Sequence, residues 1–169
     1  LRREAMARGV DPGRLVFAAP QPQAEHLARL GLADLVLDTA PYNAHTTASD
    51  ALWAGVPVVT CAGDTFAARV AGSLLHAVGL PELVTHHLDD YAALALSLAQ
   101  DRPRRQALRE HLQQRRLSAP LFDVPGYTRA LEGLYCEMWA RHAAGLAPGA
   151  TGGSVPVPDR RLLAPSCGG

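Results

Sequence analysis

LVLDTAPYNAHTTASDALWAGVPVVT, residues 35 to 60, is the stretch that decides the fold of this chain. It places a short apolar run, a polar loop, an amphipathic run and a second apolar run in direct succession. The amphipathic run ends at Gly55, a residue that suits a helix C-terminus ahead of Pro57. The pattern therefore predicts a strand, a loop, a helix and a second strand as one continuous unit.

Polar side chains gather where the predicted helix begins. His45 offers an imidazole, Thr46 and Thr47 offer hydroxyls and backbone N–H groups, and Asp50 follows one helical turn later. Free N–H groups at the positive end of a helix dipole attract anions, most often phosphate groups. These residues are therefore candidates for holding a diphosphate and a ribose.

The same residues also allow an interpretation without a ligand. Thr47 and Asp50 have the spacing of a capping box, in which side chains satisfy the free N–H groups of the first helical turn. The spacing leaves both interpretations open, and neither excludes the other.

The rest of the chain alternates between apolar runs and helical patterns. We predict strands at residues 15–18, 35–37, 56–60 and 83–85, and helices at residues 2–7, 23–30, 47–54, 65–78, 88–100, 103–116 and 126–144. Short strands separated by helices favour parallel pairing through right-handed crossovers. The predicted fold class is α/β, with a helical section at the C-terminal end.

A second polar helix start follows the strand at residues 56–60. Gly63, Asp64 and Thr65 repeat the arrangement of strand, loop and polar helix start. A carboxylate is repelled by a neighbouring phosphate, whereas at a helix N-terminus it is a favourable cap. Asp64 is therefore assigned to capping. Arg69, further along the same helix, is the nearest cation for a ligand at this edge.

The histidines divide into two groups. His26 follows the predicted strand at residues 15–18 and His45 follows the strand at residues 35–37, and ligands bind at the carboxyl ends of parallel strands. His26 equally fits an exposed position on an ordinary amphipathic helix. Surface or capping roles are assigned to the remaining histidines, at positions 76, 86, 87, 111 and 142.

Three segments resemble a known family. PYNAHTTASDALWAGVPVVT at residues 41–60, AGDTFAARVAGSLL at 62–75 and GLPELV at 79–84 resemble the C-terminal part of the catalytic region of protein O-GlcNAc transferases, particularly bacterial ones. The resemblance extends over residues 1–146 and is most specific between residues 38 and 83. It implies the Rossmann-like, nucleotide-binding C-terminal half of a GT-B glycosyltransferase, whose two halves enclose a nucleotide sugar.

The resemblance also assigns roles to individual residues. It places His45, Thr46 and Thr47 at the donor diphosphate, Asp50 at the ribose and His26 near the nucleobase. A family lysine that helps to hold the uridine aligns with Gln23, and a common family glutamate aligns with Asp64. All 16 basic residues of the Lys and Arg count are arginines, so no lysine of this chain contacts phosphate.

The function implied by the resemblance is UDP-GlcNAc-dependent transfer of a sugar to Ser or Thr hydroxyls of a protein. No catalytic residue, metal ion or cofactor other than the donor is predicted in this chain. A non-catalytic nucleotide-binding or interaction module, or a GT-B transferase with another nucleotide sugar, is the alternative. A GT-B sugar epimerase would need acidic catalytic residues, for which Asp50 and Asp64 are poor candidates.

The chain is expected to be a fragment. Residues 1–146 correspond to an N-terminally incomplete half-domain, and residues 147–169, rich in Gly, Pro and Ser, are expected to be mostly disordered. The resemblance implies that the protein acceptor binds through missing N-terminal regions that include tetratricopeptide repeats. The isolated fragment is therefore expected to be inactive.

Composition excludes several classes of partner. A formal net charge of zero argues against nucleic acid or a membrane surface as partner, and the arginines between residues 102 and 116 are interpreted as a solvated helix face. No apolar run reaches the roughly 20 residues of a membrane span. Three cysteines without CxxC spacing indicate neither a zinc site nor a disulfide framework, and they fit a reducing, cytoplasmic location.

The last predicted helix, residues 126–144, carries apolar residues on one face. Tyr127, Leu131, Leu134 and Met138 have the spacing of a helix docked on a core. In the resembled family such a helix crosses to the other half of the enzyme. Apolar surface left exposed here would favour dimerisation.

Overall fold

The computed structural model describes residues 1–151. Within that range the helices are α1 (Arg2–Ala7), α2 (Gln23–Leu30), α3 (Thr46–Trp53), α4 (Val70–Ala77), α5 (Leu88–Gln100), α6 (Arg102–Arg115) and α7 (Val124–Ala143). The strands are β1 (Val36–Leu37), β2 (Val58–Cys61) and β3 (Val84–Thr85). Single 3₁₀ turns lie at Pro12–Arg14 and Pro81–Leu83.

The three strands form a parallel sheet in the order β1, β2, β3. Val36 pairs with Val58, and Thr60 pairs with Val84. Helices connect the strands, because parallel neighbours need a crossover. The α/β class and the parallel pairing predicted from the sequence are confirmed.

The hydrophobic core surrounds β2, the central strand. Val58 and Val59 are fully buried, and Leu75 of α4 and Leu98 of α5 pack in the same cluster. Each such side chain contributes about 1.5–3 kcal/mol through burial. A central strand of buried valines explains why the predicted apolar run at residues 56–60 shows no alternation.

Helix α3 ends as the sequence predicts. Gly55 has a φ of 78°, in the left-handed region that favours glycine. Its N–H donates to the carbonyl of Leu52, and the N–H of Val56 donates to the carbonyl of Ala51. This pair of hydrogen bonds is a Schellman motif, which satisfies the last carbonyls of the helix and turns the chain into β2.

The predicted strand at residues 15–18 does not form. Val16 is 88% exposed and Phe17 is 58% exposed, so neither side chain has a core to pack against. A strand also needs a neighbouring backbone for its N–H and C=O groups, and none of the three described strands pairs with this segment. The apolar run is therefore extended but unpaired.

The fourth helix begins later than predicted, and Asp64 does not cap it. Helix α4 starts at Val70, and no side chain caps its N-terminus. The carbonyls of Ala67 and Ala68 accept hydrogen bonds from the N–H groups of Asn43 and Gly63. Because those carbonyls are occupied by loop donors, residues 65–69 form turns in place of a helix. The assignment of Asp64 to capping is wrong for this reason.

The arginine-rich helix α6 is not uniformly solvated. The Arg109 guanidinium donates to the carbonyls of Gly31 and Ala33, and the Arg105 guanidinium donates to carbonyls at the end of α5. His111 bonds the carbonyl of Val78 at 2.8 Å, so its predicted capping role is confirmed. The interpretation as a solvated face holds for Arg102, which is exposed, and is wrong for Arg105 and Arg109.

Helix α7 is not docked on the core as predicted. Tyr127, Tyr135 and Met138 are 66%, 59% and 47% exposed, and Gly133 is the buried residue of this helix. The predicted face is therefore only partly exposed: Leu131 and Leu134 are half-buried, whereas Tyr127 and Met138 agree with the expected exposed apolar surface. Residues 147–151 form neither helix nor strand, and the expectation of disorder beyond them falls outside the described residues. Within residues 1–151, no helix is both long and apolar enough to cross a membrane.

Candidate functional site

A cleft opens where β1 ends and α3 begins. Its volume is about 510 Å³, and its lining residues are 36–39 and 42–47. The carboxyl ends of parallel strands are the usual location of ligands in open α/β sheets. The cleft thus lies at the loop that the sequence singles out, and its wall includes His45, Thr46 and Thr47.

The start of α3 has no side-chain cap. The helix begins at Thr46 with His45 as its N-cap residue, and no side chain accepts a hydrogen bond from its first turn. The capping box that the spacing of Thr47 and Asp50 allowed therefore does not form. Because the helix begins one residue earlier than predicted, Thr47 lies inside the first turn, where it cannot act as N-cap. The first N–H groups remain free for a ligand or for water.

The His45 ring is held between two aromatic side chains. It stacks on Tyr42 with ring centroids 5.3 Å apart, and Phe66 meets it edge-on at 6.0 Å. Its Nε2 atom is buried and has no hydrogen-bond partner among the described residues. A buried nitrogen of this kind is costly unless a ligand or water bonds it.

Asp38 organises the loop that leads to α3. Its carboxylate accepts hydrogen bonds from the N–H groups of Thr39 and Ala44, at 2.8 and 2.7 Å, and from the Thr60 hydroxyl at 2.6 Å. Asp38 is 7% exposed, so these three donors offset the cost of burying its charge. Asp38 was not predicted as a site residue from the sequence; its position directly after an apolar strand was the available signal.

Asn43 ties the same loop to its surroundings. Its backbone N–H donates to Ala67, and its amide nitrogen donates to the carbonyls of Thr39 and Cys61 at 2.9 and 3.3 Å. The residue is 1% exposed. The loop is thus fixed against both β2 and the segment before α4, and this residue was also missed.

Tyr91 fixes the other end of the loop. Its hydroxyl donates to the backbone carbonyl of Asp38 at 2.8 Å. Burial, and then the negative charges of Asp38 and Cys61, raise the pKa of Tyr91 above its usual value. The phenol therefore remains a hydrogen-bond donor over the neutral range.

His26 and Asp50 come together across the α2–α3 contact. Nε2 of His26 lies 4.0 Å from a carboxylate oxygen of Asp50, and both side chains are mostly buried. The other ring nitrogen of His26 lies 3.4 Å from the Arg29 guanidinium. Gln23 is exposed in the first turn of α2, and His26, Asp50 and Gln23 all lie outside the cleft wall. The structure thus joins His26 to Asp50 and leaves Gln23 apart, and the ligand roles of all these residues stay predictions.

Residues 1–151 contain no group of three His, Cys, Asp or Glu side chains that could hold a metal ion. The arrangement offers free helix N–H groups, two threonine hydroxyls and an imidazole on one side, and a carboxylate with a second imidazole one turn away. Such a set suits a ligand with an anionic group and neighbouring hydroxyls.

Comparison with known proteins points to one group. The model of glycosyl transferase family 41 matches residues 1–131. The chain is 43% identical over 148 residues to a probable UDP-N-acetylglucosamine–peptide N-acetylglucosaminyltransferase, SEC, of Arabidopsis thaliana, covering 87% of the chain and 15% of that protein. It is 40% identical over 146 residues to the UDP-N-acetylglucosamine–peptide N-acetylglucosaminyltransferase of Caenorhabditis elegans, covering 86% of the chain and 13% of that protein.

A solved structure gives the same result. A mutant of the Thermobaculum terrenum O-GlcNAc transferase superposes with a TM-score of 0.81 at 39% identity, covering 86% of this chain and 28% of that one. This match supports assignment of the described sheet and helices to the GT-B architecture. The chain spans between an eighth and a sixth of the length of the two curated relatives named above.

Proposed function

Since the chain belongs to glycosyl transferase family 41, we propose that it is the donor-binding part of a UDP-GlcNAc-dependent protein O-GlcNAc transferase. The names of its relatives support the donor and the type of acceptor. The uncapped start of α3, which opens into the cleft, is the observation that carries the proposal.

The diphosphate of the donor binds at the start of α3. Free N–H groups of the first turn and the hydroxyls of Thr46 and Thr47 surround it, and the His45 Nε2 atom supplies a further hydrogen bond. The helix dipole adds a favourable interaction of about 0.3–1 kcal/mol for a negative group at this end. Anion binding at this position needs no lysine, and the chain has none.

The nucleoside lies beside α2. Asp50 accepts hydrogen bonds from the ribose hydroxyls, and His26 contacts the nucleobase. The 4.0 Å separation of these two side chains supports the assignment, because a ribose and its base are adjacent parts of one molecule. Thr46 and Asp50 are four residues apart and share one face of α3, so diphosphate and ribose follow each other along that face. Gln23, in the first turn of α2, contacts the outer edge of the nucleobase.

The proposed reaction is attack of a Ser or Thr hydroxyl oxygen on the anomeric carbon of the sugar. The bond from that carbon to the diphosphate oxygen breaks, UDP leaves with the electron pair, and the hydroxyl proton passes to a base. We assign no catalytic base to the described residues. Helix N–H groups act where negative charge develops on the leaving diphosphate, which lowers the barrier without a metal ion.

The proposal also covers how the protein acceptor binds, where in the cell the protein is located and whether it self-associates. The protein acceptor binds through regions that the longer relatives possess outside the matched segment. We place the protein in the bacterial cytoplasm, where its cysteines stay reduced. The exposed apolar side chains of α7, which include Tyr127, Tyr135 and Met138, support self-association.

Calorimetric titration of the purified chain with UDP, and separately with GDP, tests the proposal. We expect saturable binding that favours UDP and is lost on combining Thr47→Ala with Asp50→Ala. Thr128→Ala, which removes an exposed hydroxyl of α7, is the matched control and retains binding. Preference for GDP would indicate another nucleotide sugar. A folded chain that binds neither nucleotide would contradict the donor-site assignment.

A further inference from the structure

We propose that Asp38 is a positioning residue for nucleotide binding, which fixes the loop before α3 so that the helix start faces the cleft. The inference rests on the proposed function, because it concerns the same diphosphate site. Asp38 acts through Ala44, the residue immediately before His45, whose N–H donates to its carboxylate.

The carboxylate of Asp38 is a buried charge, which needs hydrogen-bond donors around it. Asp38 is 7% exposed, and an ionised carboxylate in such a place is unfavourable unless donors surround it. Three donors do so: the N–H groups of Thr39 and Ala44 and the Thr60 hydroxyl. An apolar side chain in the same place would leave these three donors without an acceptor. The carboxylate therefore fixes the loop conformation through its three hydrogen bonds.

The backbone N–H groups around the loop fall into two sets, those that donate to Asp38 and those that have no side-chain acceptor. The N–H groups of Thr39 and Ala44 point into the protein, toward the carboxylate. The first N–H groups of α3 have no side-chain acceptor, and Thr46 and Thr47, which carry two of them, line the cleft. Without the carboxylate, the Ala44 N–H would lose its acceptor and the approach to α3 would no longer be fixed at that residue.

Two rigid elements hold Asp38 itself. Thr60 lies in β2, is fully buried, and orients one carboxylate oxygen through its hydroxyl at 2.6 Å. Tyr91 of α5 holds the backbone carbonyl of Asp38 at 2.8 Å. The start of α3 is thus aligned to the sheet through Thr60 and to a helix through Tyr91.

The experiment compares UDP with uridine, which lacks the diphosphate, in calorimetric titrations of the whole chain. Thr60→Val replaces the hydroxyl with a methyl group of similar size, so that the donor is lost and the packing is kept. Thr60→Ser restores the donor. Thr85→Val is the matched control, because the Thr85 hydroxyl donates to the Thr60 carbonyl at 3.0 Å and not to Asp38.

We expect Thr60→Val to weaken UDP binding roughly tenfold, the size expected from a lost hydrogen bond to a charged group. Uridine affinity should stay unchanged, so the ratio of the two affinities falls. Thr60→Ser and Thr85→Val should keep that ratio. A purely structural role for Thr60 would lower both affinities together and would overturn the proposal.

Asp38→Asn provides a second test that does not depend on the stability of Thr60→Val. The asparagine oxygen can accept from Thr39 and Ala44, and its amide can donate to the Thr60 oxygen. We expect UDP binding within threefold of the unmodified chain; a folded variant that no longer binds UDP would overturn the positioning role. UDP binding that Thr60→Val leaves intact would overturn this inference alone, whereas an unmodified chain without UDP binding would overturn the proposed function as well.

Discussion

Replacing Arg109 by alanine should loosen the end of α2, the helix that carries His26. The two terminal nitrogens of Arg109 donate to the carbonyls of Ala33 and Gly31, at 2.7 and 2.8 Å. Those carbonyls lie in the turn that follows α2, more than 75 residues earlier in the chain. Alanine removes both donors at once, and no other group of α6 is described as bonding these carbonyls.

The decrease in the free energy of unfolding expected for Arg109→Ala can be calculated from the two hydrogen bonds that it removes. A hydrogen bond from a charged donor contributes about 1.5–3 kcal/mol when buried, and partial exposure of the guanidinium lowers this to about 1–1.5 kcal/mol for each bond, which gives about 2–3 kcal/mol for the pair. For a chain of this size, that destabilisation lowers the melting temperature by roughly 4–12 °C.

Urea unfolding followed by circular dichroism measures the change. Arg102→Ala, at an exposed position on the same helix, is the control and should stay within about 0.5 kcal/mol of the unmodified chain. Arg109→Lys should fall between the two, because an ammonium group lacks the planar fork that reaches both carbonyls. If Arg109→Ala and Arg102→Ala have equal midpoints, Arg109 is part of a solvated face and the reasoning fails.

Substitutions at Leu75, Gly55 and Tyr91 should each change the stability of the chain in a specific way. Leu75→Ala should cost about 2–5 kcal/mol in urea unfolding because Leu75 is fully buried, whereas Leu88→Ala, at a 63% exposed position, should cost far less. Gly55→Ala should cost about 1–2 kcal/mol, since φ there is 78°; an unchanged midpoint would show that the turn tolerates a side chain. The raised pKa of Tyr91 means that unfolding releases a proton above pH 10, so the free energy of unfolding should fall as pH rises beyond that value. Tyr91→Phe should flatten this decline, and a decline of equal slope in both proteins would contradict the assignment.

Most of the correct predictions came from patterns among residues that are neighbours in the sequence. The bounds of α2 and α5 match residues 23–30 and 88–100, because amphipathic spacing is a property of neighbouring residues. The end of α3 at Gly55 followed from the conformational freedom of glycine. The cleft residues His45, Thr46 and Thr47 were found because they are contiguous in the chain.

The errors arose where distant residues decide the outcome. The apolar run at residues 15–18 is an adequate strand sequence, but a strand requires a partner that the run itself does not specify. The carbonyls of Ala67 and Ala68 are taken by donors outside α4, which no helical pattern reveals. Asp38 was missed for the same reason, because Thr60 and Tyr91 lie 22 and 53 residues beyond it.

The bond between Tyr91 and Asp38 has a consequence for synthesis of the protein. As the chain leaves the ribosome, the loop at residues 38–45 emerges long before α5, and 53 residues separate the two bonded groups. Closing so long a loop costs entropy that local contacts at the start of α3 cannot offset. The cleft at the start of α3 is therefore expected to acquire its final shape late, after α5 has been synthesised and docked. A chain that stops before Tyr91 would contain every residue of the cleft wall and still lack the hydrogen bond that ties Asp38 to α5.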